Sequence, residues 1–135
     1  MVAINVEYQG DLHCKVVHGP SGKELTTDAP KDNQGRGESF SPTDLVAGAL
    51  GSCILSVMGI MARSLKVDIS GSTATVDKEM VNTPVRRIQK LIVKIHVPHL
   101  LSDRHKQLLK DAAHSCPVHK SMHPDIEMPI EFGWG

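Results

Sequence analysis

The stretch SPTDLVAGALGSCILSVMGIMARSL, from Ser41 to Leu65, decides the fold. Ser41-Pro42-Thr43-Asp44 is a helix start: the serine hydroxyl can accept from the free amides, proline suits the first helical position, and Asp44 stands where a capping box wants an acid. The spacing predicts a helix running to about Leu65. No side chain from Leu45 to Ala62 carries a charge, which approaches the minimum for a membrane span. Strand patterns on both sides, and no second apolar span, favour a central helix buried by sheets. Gly48, Ser52, Ser56 and Gly59 recur at helical spacing and predict a stripe open to close approach by another backbone. A chain of 135 residues would struggle to cover such a helix alone, so a dimer is expected.

Upstream, Val2, Ile4, Val6 and Tyr8 alternate with polar or small residues. Gln9-Gly10-Asp11 turns the chain, and Leu12, Cys14 and Val16 alternate again. Gly19-Pro20-Ser21-Gly22 predicts a second turn, with a short strand over residues 23–27. Residues 28–40 read as a polar loop carrying Arg36 and Glu38, and a loop of this length in a small domain is more often functional than idle. Downstream, strands are predicted over 72–81 and 88–97, joined by a turn at Pro84. In the second, Leu91, Val93, Ile95 and Val97 form the apolar face. Ser102 caps an amphipathic helix whose Leu108, Leu109, Ala112, Ala113 and Cys116 share a side. Pro117 opens a short helix that ends at His123-Pro124, and Ile126, Met128, Ile130 and Phe132 alternate as a last strand. One domain over residues 1–135 accounts for these elements.

Composition narrows the function. Lys+Arg and Asp+Glu number 15 each, so the basic excess of a duplex binder is missing, and aromatics at 3% leave few platforms for stacking single-strand bases. Nucleic acid is excluded as a partner on these grounds. Three cysteines cannot staple a secreted scaffold, and the N-terminus has no basic region followed by a long apolar run. A reducing, cytoplasmic setting is expected. In such a setting paired cysteines serve chemistry more often than structure.

Cys53 lies deep within the predicted helix, beyond the reach of the terminal dipole, so a reactive thiolate there needs a cation from another segment. Arg36, followed by a permissive glycine, could supply it. Equally, Cys53 fits as a small buried hydrophobe and Arg36 as a solvated loop residue. Cys116 precedes Pro117 at a helix start, where unpaired amides favour a thiolate, but it also ends the apolar face of the preceding helix. Cys116, His119 and His123, with Cys53 as a distant fourth ligand, form a loose metal-like pattern lacking the spacing of established zinc sites. Cys14 reads as structural.

The segment Ser41 to Cys53, followed much later by Cys116-Pro117-Val118-His119-Lys120, resembles the OsmC/Ohr family in order and separation. The resemblance covers nearly the whole chain. It implies an α+β fold, antiparallel sheets packed around a long central helix in an intertwined homodimer, with active sites at the dimer interface. It also implies a thiol-dependent peroxidase that reduces organic hydroperoxides, without metal, flavin or haem, using an external dithiol reductant. Carried over, Cys53 attacks, Cys116 resolves and Arg36 holds the attacking thiolate. The hydroperoxide-resistance branch has a glutamate where this chain has Thr43, so Asp44 or Glu38 is the expected substitute as partner of Arg36. The alternative is the same dimer binding a small apolar or electrophilic ligand without turnover.

Overall fold

The computed structural model describes residues 1–135. The chain divides into two compact units, Met1–Val46 and Ala47–Gly135.

The N-terminal unit is an antiparallel sheet in the order β1 (Ile4–Tyr8), β2 (His13–His18), β3 (Glu24–Asp28). The turn at Gly19–Gly22 fixes its second register, so Val17 faces Glu24 and His13 faces Asp28. After β3 the chain enters the predicted polar loop, which contains a single 3-10 turn at Lys31–Asn33. The loop folds back on the strand end. The Gly35 amide donates to Pro30 O, the Gly37 amide to Ala29 O, and the Asp28 amide to Phe40 O. Arg36 therefore sits between two glycines with different duties. A Cβ on Gly35 would lie 1.7 Å from Ala29 O, and Gly37 has φ +61.

The helix α1 (Pro42–Leu65) has the predicted limits. Its start is the predicted capping box: the Asp44 amide donates to Ser41 Oγ (3.1 Å) and the Ser41 amide to Asp44 Oδ2 (2.9 Å).

The C-terminal unit begins within this helix and continues through β4 (Thr73–Val81), β5 (Arg87–Val97), α2 (Asp103–His114), α3 (Pro117–Ser121) and β6 (Ile130–Trp134). Ala47, Leu50, Gly51, Ile54, Met58 and Ala62 recur at helical spacing and are the buried face of α1. Opposite them in the core are Leu91, Val93, Ile95 and Val97 of β5, with Leu109, Ala112 and Ala113 of α2. The alternation predicted for β5 is thus the one observed.

Three details differ from the sequence expectation. The sheet is mixed rather than purely antiparallel: β4 and β5 pair antiparallel, but β6 joins β5 in parallel. The α2–α3 connection explains this, because a helical crossover returns the chain in the same direction, as no short hairpin can. The last strand also starts later than the alternation from Ile126 suggests. Pro129 has no amide to give, and only an isolated bridge, Lys90 to Glu127, precedes it. Finally, the predicted small-residue stripe is left open, and the close approach on α1 within a single chain occurs at Gly51. A Cβ there would meet Val76 Cγ2 at 3.1 Å and Ala74 Cβ at 3.5 Å, whereas Gly48 and Gly59 face open space.

By length and composition α1 is the one helix capable of crossing a membrane, with 33% of its most apolar window buried. Its inward face is taken up by the sheet. Outside, Gly48, Ser52, Ser56 and Ile60 are exposed. So are Ile4, Val6 and Tyr8 of β1, whose alternation leads to no buried side within this chain.

Candidate active site

Cys53 and Cys116, distant in sequence, come together in the C-terminal unit. Cys53 is half-buried in the middle of α1, and Cys116 is fully buried at the junction of α2 and α3. Local sequence sets both placements. Cys53 precedes the buried Ile54 and sits at the edge of the packed face. Cys116 follows the buried Ala112 and Ala113, and Pro117 then forces a new helix with Cys116 as its N-cap. Both thiols are free, and Cys53 lies close enough to Cys116 to shift its titration.

Burial pushes the Cys116 thiol above its ordinary value of 9.0, and the hydrogen bond with Cys53 pushes it the same way. The amides of His119 and Val118 pull in the opposite direction; that of His119 lies 3.4 Å from the sulfur. The amides act in the direction the sequence suggests, but burial and the neighbouring Cys53 outweigh them and raise the Cys116 thiol on balance.

This has a consequence for stability. Above pH 9.0 the unfolded chain releases the Cys116 proton while the folded chain still holds it, so the unfolded state binds fewer protons and folding weakens. The contribution is intact below that value and is lost as pH rises beyond it. The urea midpoint is expected to fall on crossing pH 9.0, and to fall less in Cys116→Ala. Equal falls in both proteins would contradict the assignment.

The histidines near Cys116 do not gather as ligands. No three His, Cys, Asp or Glu side chains are grouped to hold a metal, and His123 turns to Asp125 at 3.7 Å. His119 packs edge-on against His114, and burial, with Lys120 and His114 nearby, holds it below its ordinary value of 6.5. It is a neutral imidazole at neutral pH.

An open groove of about 360 Å³ runs between α1 and α2, lined by Val57, Ile60, Met61, Ser64, Ala112 and Ser115. Val57 is one helical turn from Cys53, and Ser115 adjoins Cys116. The groove is mostly apolar.

Arg36 belongs to the N-terminal unit, where it makes a single ion pair, to Asp28 Oδ1 at 3.6 Å, and keeps 47% of its side chain exposed. This partner was not read from the sequence, which offered Glu38 or Asp44. Glu38 joins the cluster through its backbone amide, which donates to Asp28, and Asp44 serves the helix cap. Thr43, where a glutamate was looked for, lies 3.2 Å from Ser41 Oγ. Asp28 is almost fully buried and its carboxyl is held below the usual value, first by His13, whose Nδ1 lies 2.6 Å away, and further by Arg36. The missed signal was the hairpin register: counting outward from the Gly19–Gly22 turn places His13 opposite Asp28.

Known proteins share this fold. A crystal structure from Psychrobacter arcticus 273-4, named for osmotic stress induction and detoxification response, is 45% identical, with 98% of this chain and 96% of that one covered and a TM-score of 0.92. An uncharacterized protein of Acinetobacter baylyi is 28% identical, over 88% of this chain and 90% of its own length. An organic hydroperoxide resistance protein OsmC from Legionella pneumophila shares the fold at TM-score 0.80 and 16% identity, covering 98% of this chain and 96% of its own. The family model described as OsmC-like protein matches residues 35–131, a span holding Arg36, the capped helix and both cysteines, and the chain belongs to that family.

Proposed function

We propose that this protein is a thiol peroxidase that reduces organic hydroperoxides to alcohols. The observation that carries the reading is the meeting of Cys53 and Cys116, one half-exposed and one helical turn from an apolar groove, the other buried. Cys53, as thiolate, attacks the distal oxygen of the peroxide. The O–O bond breaks, the alkoxide leaves and takes a proton as the alcohol, and Cys53 becomes a sulfenic acid. The Cys116 sulfur then attacks the Cys53 sulfur, and the Cys116 proton leaves with the hydroxyl as water. An external dithiol reduces the resulting disulfide by exchange and is itself oxidised.

Cys116 suits the second step because its sulfur is fully buried, away from the peroxide, and close to Cys53. Arg36 is assigned to the Cys53 thiolate as a charge-assisted donor, supported by its half-exposed side chain and its glycine-bounded loop. The apolar groove favours alkyl or lipid hydroperoxides over hydrogen peroxide. Some solved structures of this fold are named organic hydroperoxide resistance proteins, which points the same way.

The working unit is assigned as a homodimer in the cytoplasm. The apolar side of β1 and the outer stripe of α1 are exposed in one chain, and a second copy is the expected cover. Sedimentation velocity should show a dimer, and a monomer at micromolar concentration would contradict this. For the chemistry, mixing reduced protein with excess cumene hydroperoxide and no reductant should release one cumyl alcohol per chain. No alcohol would overturn the peroxidase reading and favour a ligand-binding dimer.

A further inference from the structure

We propose that Asp28, supported by His13, is the positioning residue that fixes the Arg36 guanidinium for its work on the attacking thiolate. The proposal rests on the peroxidase reading and adds a residue that the reading lacks.

The Asp28 side chain is 3% exposed, and a buried carboxylate persists only where donors surround it. Three converge on it: His13 Nδ1 from β2 at 2.6 Å, the Glu38 amide, and the Arg36 guanidinium. Because the carboxyl is held ionised it can only accept, so His13 Nδ1 carries the hydrogen between them. Its own backbone amide donates to Phe40 O, and the next residue's carbonyl accepts from Gly37. Asp28 thus stands where the loop leaves the strand and where it returns, with Arg36 at the centre of the span.

The strengths of these contacts differ, and the difference assigns the roles. At 2.6 Å, His13 is close enough to anchor the carboxylate. At 3.6 Å, with a half-exposed partner, the Arg36 contact is a loose ion pair of the kind that contributes little stability. It limits where the guanidinium can point while leaving its remaining N–H groups for another anion. Glu38 and Asp44 do not offer this. Glu38 contributes an amide, and one oxygen of Asp44 accepts from the Ser41 amide.

The test compares the second-order rate of Cys53 oxidation by cumene hydroperoxide in Asp28→Asn, Arg36→Gln and the double variant, in full-length protein with native circular dichroism. Asp28→Asn is expected to slow oxidation about threefold, the scale of a loose, partly exposed ion pair. The double variant should be no slower than Arg36→Gln alone, because Asp28 acts only through Arg36. A merely structural role would add to the Arg36 loss. His13→Gln, which keeps an N–H donor, provides a milder second variant expected to lie between wild type and Asp28→Asn. If Arg36→Gln is slow but Asp28→Asn and His13→Gln match wild type, the positioning role is overturned and the peroxidase reading stands. If Arg36→Gln itself matches wild type, Arg36 has no part in the chemistry and both the assignment and this inference fall.

Discussion

Cys53→Ser is expected to abolish peroxide consumption altogether, whereas Cys116→Ser consumes one peroxide per chain and then stops. The two results differ because the sulfurs do different work. A serine hydroxyl at 53 cannot ionise near neutral pH or expand its oxidation state, so no intermediate forms. With Cys53 intact and no thiol at 116, the first step proceeds but the sulfenic acid has no partner and accumulates. Product-alcohol assay and intact mass measure both. Full turnover in Cys53→Ser would overturn the central assignment. Full turnover in Cys116→Ser would show that an external thiol resolves Cys53 directly.

Gly35→Ala should be the most damaging single methyl group in the N-terminal unit. The new Cβ would stand 1.7 Å from Ala29 O, 2.1 Å from Ala29 C and 2.6 Å from Ala29 Cα, all backbone atoms at the base of the loop. No side-chain rotation relieves that overlap, so the loop must open. The Gly35 to Pro30 and Gly37 to Ala29 hydrogen bonds are then lost. A cost of about 1–3 kcal/mol follows from the overpacking alone, and Arg36 loses its place, so peroxide reduction should fall with it. Gly48→Ala is the control: it adds a methyl group to a helical site with nothing within 4 Å and should leave the folding of a single chain unchanged or better by up to about 1 kcal/mol. Urea midpoints of the two variants measure the contrast. Equal midpoints would contradict the tight loop.

Much of the architecture was legible because short-range rules act without competition. The capping box at Ser41–Asp44, the period of α1, the alternation of β5 and the cap at Ser102 are each set by neighbours in sequence, and all stand where the patterns put them. The parallel pairing of β6 was not legible, since it depends on where the α2–α3 crossover returns the chain. Within the site, the two cysteines were found from motif and order. The raised titration of Cys116 was not, because the amides of Val118 and His119 argue for a thiolate and only burial and the second sulfur argue against it. Asp28 escaped notice for a similar reason. An aspartate following Thr26-Thr27 looks like a turn residue until the register brings His13 across from it and the loop folds Arg36 over it.

The chain's departure from the hydroperoxide-resistance pattern at Thr43 is thereby given a physical context. The carboxylate beside Arg36 comes from a strand end instead of the helix start. A partner on a paired strand, anchored by a histidine, restrains the arginine from a different direction, and this is where differences in rate or preferred peroxide between family members are to be sought.

The most direct measurement is the free-thiol count and peptide map of the reduced protein before and after an equimolar amount of cumene hydroperoxide. The account predicts that two of the three thiols disappear, that Cys14 remains, and that the new bond joins Cys53 to Cys116. Three intact thiols with untouched peroxide would contradict it.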